Sequence, residues 1–199
     1  VVILSVGGSA RIDGTIDAAG TGGGCCGGGG GGSGGTIRIF AGSLSGSGTL
    51  KADGGVGHVS EADFVGGGGG GGRIAVTGAG AKTAGLVYSA GPGARGGILA
   101  QRGAAGTIVL LEPAGEPKII VAATAPHSDF LAALTRIPGP LALTALTVKN
   151  ADLLITGADA RVELSSALAL EGRYRLSAST LTFPTTGLTS FTVPAGSNL

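Results

Sequence analysis

The sequence has no Met and no Trp, and charged and aromatic residues make up only 13% and 4% of its 199 positions. The formal net charge is +1, so the chain lacks the basic excess with which nucleic-acid-binding proteins neutralise phosphates. We therefore expect no nucleic-acid partner. No run of about 20 apolar residues occurs, and this excludes a membrane-spanning helix within the sequence.

The chain begins with Val1, and no Met occurs anywhere in it. Its first residue is therefore not a retained initiator, and we expect that residues preceding it have been removed. Such a start is typical of a secreted precursor that has lost its signal peptide, and equally of a chain read only where it is ordered.

Cysteine is scarce, because the only two, Cys25 and Cys26, are adjacent within a glycine tract. A disulfide between adjacent cysteines closes a strained eight-membered ring, so a bond to another chain is the more natural oxidised state. Three states stay open: an intermolecular disulfide, a vicinal disulfide and two free thiols.

Glycine is abundant but unevenly distributed, because only five of the 43 glycines lie after residue 115. This change predicts a glycine-rich repeat region at residues 1–115 and a β-rich region at residues 116–199. Collagen is excluded, since no Gly-X-Y period runs through the chain and only eight Pro are present. Hydrophobic residues account for 43% of the chain and the mean hydropathy is +0.45, which disfavours disorder.

Two short β-branched strand markers repeat within the glycine-rich region at a period of 34 to 37 residues. The matching stretches are residues 14–18, 48–52 and 85–88 for the first marker, and 35–39, 72–76 and 106–110 for the second. In the first marker, Thr15 aligns with Thr49 and then with Leu86. Each repeat is predicted to hold two short strands, one long glycine-rich segment and a tight turn such as residues 41–43.

The glycine-rich segments are residues 20–34, 54–72 and 91–106. They fit either mobile linkers or polyglycine-II-like segments, in which backbones without side chains approach closely and hydrogen-bond to one another. Because the repeat places them at a regular interval, we favour ordered and mutually packed segments.

The β-rich region carries apolar pairs whose members are two residues apart and so share one face of a strand. The pairs are Leu146/Val148, Leu153/Ile155, Val162/Leu164, Leu168/Leu170, Tyr174/Leu176 and Leu181/Phe183. Three successive steps span 22 residues from Val148 to Leu170 and 21 from Ile155 to Leu176. This is the length of a coil with three short faces, so we predict an all-β fold of the β-solenoid or β-helix type. A β-sandwich with tight hairpins is the alternative.

Acidic and basic residues alternate in the β-rich region. They are Asp152, Asp159, Glu163 and Glu171 among Arg161, Arg173 and Arg175. Polysaccharide lyases and glycosidases collect such groups on one face, but opposite charges on neighbouring strands also pair simply as surface ladders. Sugar sites usually stack on Trp or Tyr, and only two Tyr are present. We therefore predict surface ion pairs, and no catalytic residue, cofactor or metal site.

The first residues of the chain are the candidate assembly residues. Val1, Val2, Ile3, Leu4 and Val6 form an apolar stretch without charge. An unpaired strand of this kind is an aggregation hazard on a monomer. It becomes useful if it adds to a sheet edge of the next subunit, because head-to-tail backbone pairing builds an open fibre. The alternative is that the strand pairs within its own chain.

Residues 31–39, 44–55 and 66–76 combine glycine runs with brief β-branched strands. Over about the first 110 residues the chain resembles the glycine-rich repeats of large secreted bacterial and archaeal surface proteins. The resemblance implies an adhesin-like or filament-forming β-solenoid without catalytic residues. We expect a structural subunit of an extracellular filament or surface layer, located at the cell surface, whose partners are other copies of itself.

Two other functions stay open. The second hypothesis is an adhesin that binds surface glycans, or an ice-binding module. Ice binding needs a flat array of threonines, whereas the threonines at 180, 182, 185 and 186 form only an irregular cluster. The third hypothesis is a polysaccharide lyase or glycosidase, for which Asp159 and Glu163 are the candidate carboxylates.

Overall fold

The computed structural model describes residues 1–24, 28–58, 65–81, 85–97, 100–123, 134–171 and 175–182. Within these residues the chain forms fourteen β-strands and no helix, which confirms the predicted all-β class. The strands are β1 (Val2–Arg11), β2 (Thr15–Asp17), β3 (Thr36–Ser45), β4 (Thr49–Lys51), β5 (Arg73–Ala79), β6 (Val87–Ser89), β7 (Thr107–Leu111), β8 (Lys118–Ala122), β9 (Thr135–Pro138), β10 (Leu141–Lys149), β11 (Asp152–Thr156), β12 (Arg161–Glu171), β13 (Arg175–Ser177) and β14 (Thr180–Thr182).

Three sheets contain these strands. The largest has the order β1-β3-β5-β7-β8-β10-β12-β14, and the two smaller ones have the orders β2-β4-β6 and β13-β11-β9. Among the described strands, every pair is parallel except β7 and β8. Parallel neighbours cannot be joined by tight hairpins, so the described strands of the second region do not form the tight hairpins that the β-sandwich alternative requires.

The first half consists of three successive units, residues 2–35, 36–72 and 73–106. Each unit contains a long strand, a short strand and a glycine-rich arm before the next long strand. The described parts of the arms are an outgoing stretch (residues 18–24, 52–58 and 90–97) and a returning stretch (residues 28–35, 65–72 and 100–106). In the short strands, Thr15 pairs with Thr49, but Thr49 pairs with Val87 rather than with Leu86.

The tight turn predicted at residues 41–43 is instead an irregularity inside β3. Pairing with β5 shifts register between Phe40 and Ser43 and then resumes. A methyl group at Gly42 would lie only 3.0 Å from the carbonyl oxygen of Gly7 in β1. Glycine therefore lets the long strands bend at this point while they remain closely paired.

The interior of the first half is a column of aliphatic side chains between the long and short strands. Strand register stacks them in rows, Val2, Ile37, Ile74 and Ile108 in one and Leu4, Ile39, Val76 and Leu110 in the next. The members from β3, β5 and β7 are at most 3% exposed. This burial follows from the alternation of side chains along each strand.

The two halves of the chain meet at β7 and β8, where strand direction reverses. Ile108 lies opposite Ile120, and Val109 lies opposite Ile119. Ile108 and Ile120 belong to the first hydrophobic core, whereas Val109 and Ile119 belong to the second. Since directly opposed residues share a face of a sheet, the two cores lie on opposite faces of the same eight-stranded sheet.

The second half stacks β8, β10, β12 and β14 against β9, β11 and β13. Val148 pairs with Leu170, as their spacing predicts, but Leu176 pairs with Leu153 rather than with Ile155. The four predicted apolar pairs between residues 146 and 170 are buried. Two of these pairs, at 162/164 and 168/170, lie on the single strand β12, which changes register between them. Tyr174 and Phe183 lie outside the described residues.

Backbone hydrogen bonds pack the three glycine arms against one another. The arms comprise the described parts of residues 18–35, 52–72 and 90–106. Donors in the returning stretches recur every third residue, so that Gly31 donates to Gly67 and Gly34 donates to Gly70, at 2.9 and 2.8 Å. Bonds also cross between outgoing and returning stretches, as from Gly55 to Gly32 at 2.7 Å.

Asp53 fixes the base of the second arm to the third unit. Its Oδ1 accepts hydrogen bonds from the hydroxyl of Ser89 at 2.6 Å and from the backbone N–H of Gly91 at 2.7 Å.

We expect Asp53→Ala to lower the free energy of unfolding by about 1–3 kcal/mol, because a partly buried N–H loses its acceptor. Urea unfolding followed by circular dichroism measures this loss. Asp53→Asn keeps an acceptor oxygen and is the control; equal losses in both variants would contradict this role.

Candidate assembly surface

In the part of the chain that the structure describes, the first unit lies at one end of the stack and has two strand edges without a partner. β1 is the terminal strand of the eight-stranded sheet, and β2 is the terminal strand of the sheet β2-β4-β6. Among the described residues, each has a partner on one side only, and an unpaired edge is a template for another strand. We call this end of the molecule, formed by β1, β2 and the first glycine arm, the unit-1 end.

Apolar side chains close the unit-1 end only partly. Val2, Leu4 and Val6 are half-buried and pack against the first core, whereas Ile37 and Ile39, which pair with Val2 and Leu4 in the next unit, are fully buried. The interior column therefore ends in aliphatic side chains that are covered from one side.

The other two candidate assembly residues are among the large hydrophobic side chains that are exposed. Val1 is 89% exposed and Ile3 is 67% exposed. Ile3 alternates with the half-buried Val2 and Leu4 along β1, so it lies on the opposite face of the strand. Four of the five apolar residues predicted from the sequence thus lie in β1, on both of its faces, and Val1 directly precedes the strand.

The glycine arms present backbone acceptors at the same end. In the arms, the N–H groups of one unit donate to carbonyl groups of the next, as from Gly20 to Asp53 and from Gly31 to Gly67. When the strand register is extended into the arms, Ala19 and Gly30 take the positions of these two acceptors within the first unit. Both residues belong to the first arm, so their carbonyl groups lie at the unit-1 end. Backbone groups of this kind bind strongly to any matching donor.

Charges at the unit-1 end are balanced. Arg11 Nε lies 2.6 Å from Asp13 Oδ2, and the Lys51 amine lies 3.9 Å from Asp17. The side-chain hydrogen bond from Arg11 holds the pKa of Asp13 below its ordinary value, and the backbone N–H of Ser47 adds to the effect. Pairing within the molecule therefore leaves little net charge at this surface.

This ion pair predicts a specific titration. We expect Asp13 to titrate below its ordinary value of 3.8, and Arg11→Gln to raise that pKa. Because the pKa is lower in the folded state, the stabilisation is present above the unfolded pKa and is lost as pH falls through the folded value. A carbon-detected NMR titration measures both pKa values. An unchanged pKa for Asp13 in Arg11→Gln would contradict the assignment of Arg11 as the main cause.

The predicted surface charges of the second half are partly confirmed. Arg161 contacts Asp159 at 3.4 Å and Glu163 at 3.3 Å, and all three side chains are about half exposed. Lys149 and Glu171 pair across β10 and β12 at 2.8 Å. Asp152 differs from the prediction, because it is buried where β11 begins.

Cys25, Cys26 and Arg173 lie outside the described residues. In the described part of the chain, no group of three or more His, Cys, Asp or Glu is placed to hold a metal ion. The same residues contain no helix long and apolar enough to span a membrane.

The described residues form an all-β structure whose strands pair mainly in parallel and whose first strand has a free edge. No protein-family model, curated protein or solved structure matches the chain. Sequence reasoning found the apolar residues of β1 but missed the acceptors of the first arm, since glycine has no side chain that could mark them. The strand register, applied through the arms, would have located them.

Proposed function

We propose that the protein is a β-solenoid with polyglycine-II arms and serves as a structural subunit of an extracellular filament or surface layer. Two observations support this architecture. Equivalent strands of successive units pair in parallel, as stacked repeats do. Donors in the glycine arms recur every third residue, which is the number of residues per turn in a polyproline-II helix.

The observation that carries the assembly proposal is the unit-1 end. This end combines the free edges of β1 and β2 in the described structure with the half-buried Val2, Leu4 and Val6 and with the carbonyl groups of the first arm. A strand from a second copy would satisfy the backbone edge and cover the apolar column in one contact. If the second copy uses a different surface, the contact is head-to-tail and propagates into an open fibre.

Electron microscopy of the purified chain over a concentration series tests this function. We expect uniform filaments or sheets that grow with concentration. Monomers at every concentration would contradict self-assembly, and a discrete dimer would contradict the head-to-tail form, since symmetric pairing of two β1 edges stops at two copies. A non-reducing gel of the same samples tests the cysteines: a ladder that collapses on reduction would assign Cys25 and Cys26 to links between chains.

A further inference from the structure

A groove of about 490 Å³ lies where the two halves of the chain meet. Its floor is the outward face of β5 and β7, with Arg73 and Thr107, and one wall is the β9 segment from Leu134 to Pro138. The opposite wall belongs to the second and third glycine arms. The hydroxyl of Thr135 donates to the carbonyl of Ala105 at 2.5 Å and so ties the two walls together. The volume is in the range of sites that bind small molecules.

The groove is cationic. Arg73 on the floor and Arg136 on the wall are both exposed, and among the described residues that line the groove none is a carboxylate. Neither guanidinium forms an ion pair with a described residue, whereas Arg11 and Arg161 elsewhere are paired with carboxylates. Guanidinium is charged at every physiological pH and binds a carboxylate through two parallel hydrogen bonds. The groove therefore favours an anion.

The floor continues along the outward face of the first half. Register places Thr36, Arg73 and Thr107 in one row across β3, β5 and β7. Next to this row, the guanidinium of Arg38 lies 4.5 Å from the ring centre of Phe40. Hydroxyl groups, guanidinium groups and an aromatic ring are the groups that contact sugar hydroxyls, sugar acids and sugar faces.

We propose that this groove, named here the Arg73–Arg136 groove, binds an acidic polysaccharide whose sugar units carry carboxylates. Each guanidinium would pair with a carboxylate, and the threonine hydroxyls and Phe40 would contact neighbouring sugars. A nucleic acid fits less well, because its dense phosphates call for a larger basic excess than a chain with net charge +1 supplies. The groove does not include the unit-1 end, so this inference does not depend on self-assembly.

Calorimetric titration of the full chain with oligogalacturonate, and with neutral oligogalactose as the matched sugar, tests the proposal. We expect binding of the acidic oligomer alone. Arg73→Gln combined with Arg136→Gln should weaken it at least ten-fold. Arg161→Gln, which removes a charge already paired with Asp159 and Glu163, should change it less than two-fold.

Three results would overturn the proposal. One is the absence of binding to the acidic oligomer. The second is equal binding of the neutral oligomer or of a single-stranded DNA of similar length. The third is binding that survives the double substitution, or binding that Arg161→Gln weakens as much as the double substitution does. Circular dichroism checks that each variant is folded. The double variant should fold as the natural chain does, because Arg73 and Arg136 are exposed and lack ion-pair partners among the described residues.

Discussion

Gly69→Ala is expected to disrupt the first half, whereas Gly70→Ala, one residue further, is expected to be as stable as the natural chain. A methyl group at Gly69 would overlap the carbonyl oxygen of Gly32, while a methyl group at Gly70 would lie 3.9 Å from its nearest neighbour, the carbonyl oxygen of Ala104. Gly69 also donates to Gly55 at 2.9 Å and accepts from Gly93 at 2.7 Å. It is therefore held between all three arms and has no room to shift.

Urea unfolding followed by circular dichroism distinguishes the two variants. Gly69→Ala should lower the free energy of unfolding by about 3 kcal/mol or more, because overpacking against backbone cannot be relieved by a side-chain rotation. Gly70→Ala should be unchanged or more stable by about 0.4–1 kcal/mol, since alanine restricts the unfolded chain. Equal losses would contradict the close packing of the arms, and so would two neutral variants.

Leu4→Lys is expected to block assembly, whereas Ser5→Lys is expected to leave it intact. Leu4 is half-buried at the end of the apolar column, on the surface that a second copy would cover. Burying an unpaired ammonium group costs several kcal/mol. In the monomer the same side chain can reach water at the open end. Ser5 is exposed on the other face of β1, so the same charge there remains solvated.

Sedimentation velocity over a concentration series measures this difference. We expect Leu4→Lys to raise the concentration at which assembly begins at least ten-fold, and Ser5→Lys to change it less than two-fold at high salt. Thermal unfolding of both monomers checks that each variant is folded. If Leu4→Lys begins to assemble at the same concentration as the natural chain, the end of the apolar column is not part of the interface.

The strand markers predicted much of the register, because each unit repeats the same apolar alternation. Thr36 pairs with Arg73 and Arg73 with Thr107, as the sequence spacing requires. The error at the third short strand has a physical cause. The sequence aligned Leu86 with Thr49, but Leu86 and Val87 are both aliphatic, so the sequence does not show which of them points outward. In the structure Leu86 is buried, Val87 is exposed and Tyr88 packs on the core.

The switch of the core from one face of the sheet to the other could not be read from the sequence. β7 and β8 are apolar at successive positions, as in residues 108–111 and 119–121, so no polar residue marks an outer face. The same switch creates the Arg73–Arg136 groove from segments about 60 positions apart. A pairing of that kind depends on tertiary structure, and no local spacing indicates it.

Hydrogen–deuterium exchange of the peptide spanning residues 1–11 tests the central claim most directly. In the monomer, the amides of β1 that face its free edge should exchange rapidly, while those of β3, which is paired on both sides, should be protected. On assembly, the rapidly exchanging amides of β1 should become protected and β3 should stay unchanged. Assembled material in which β1 exchanges as fast as in the monomer would contradict assembly through this edge.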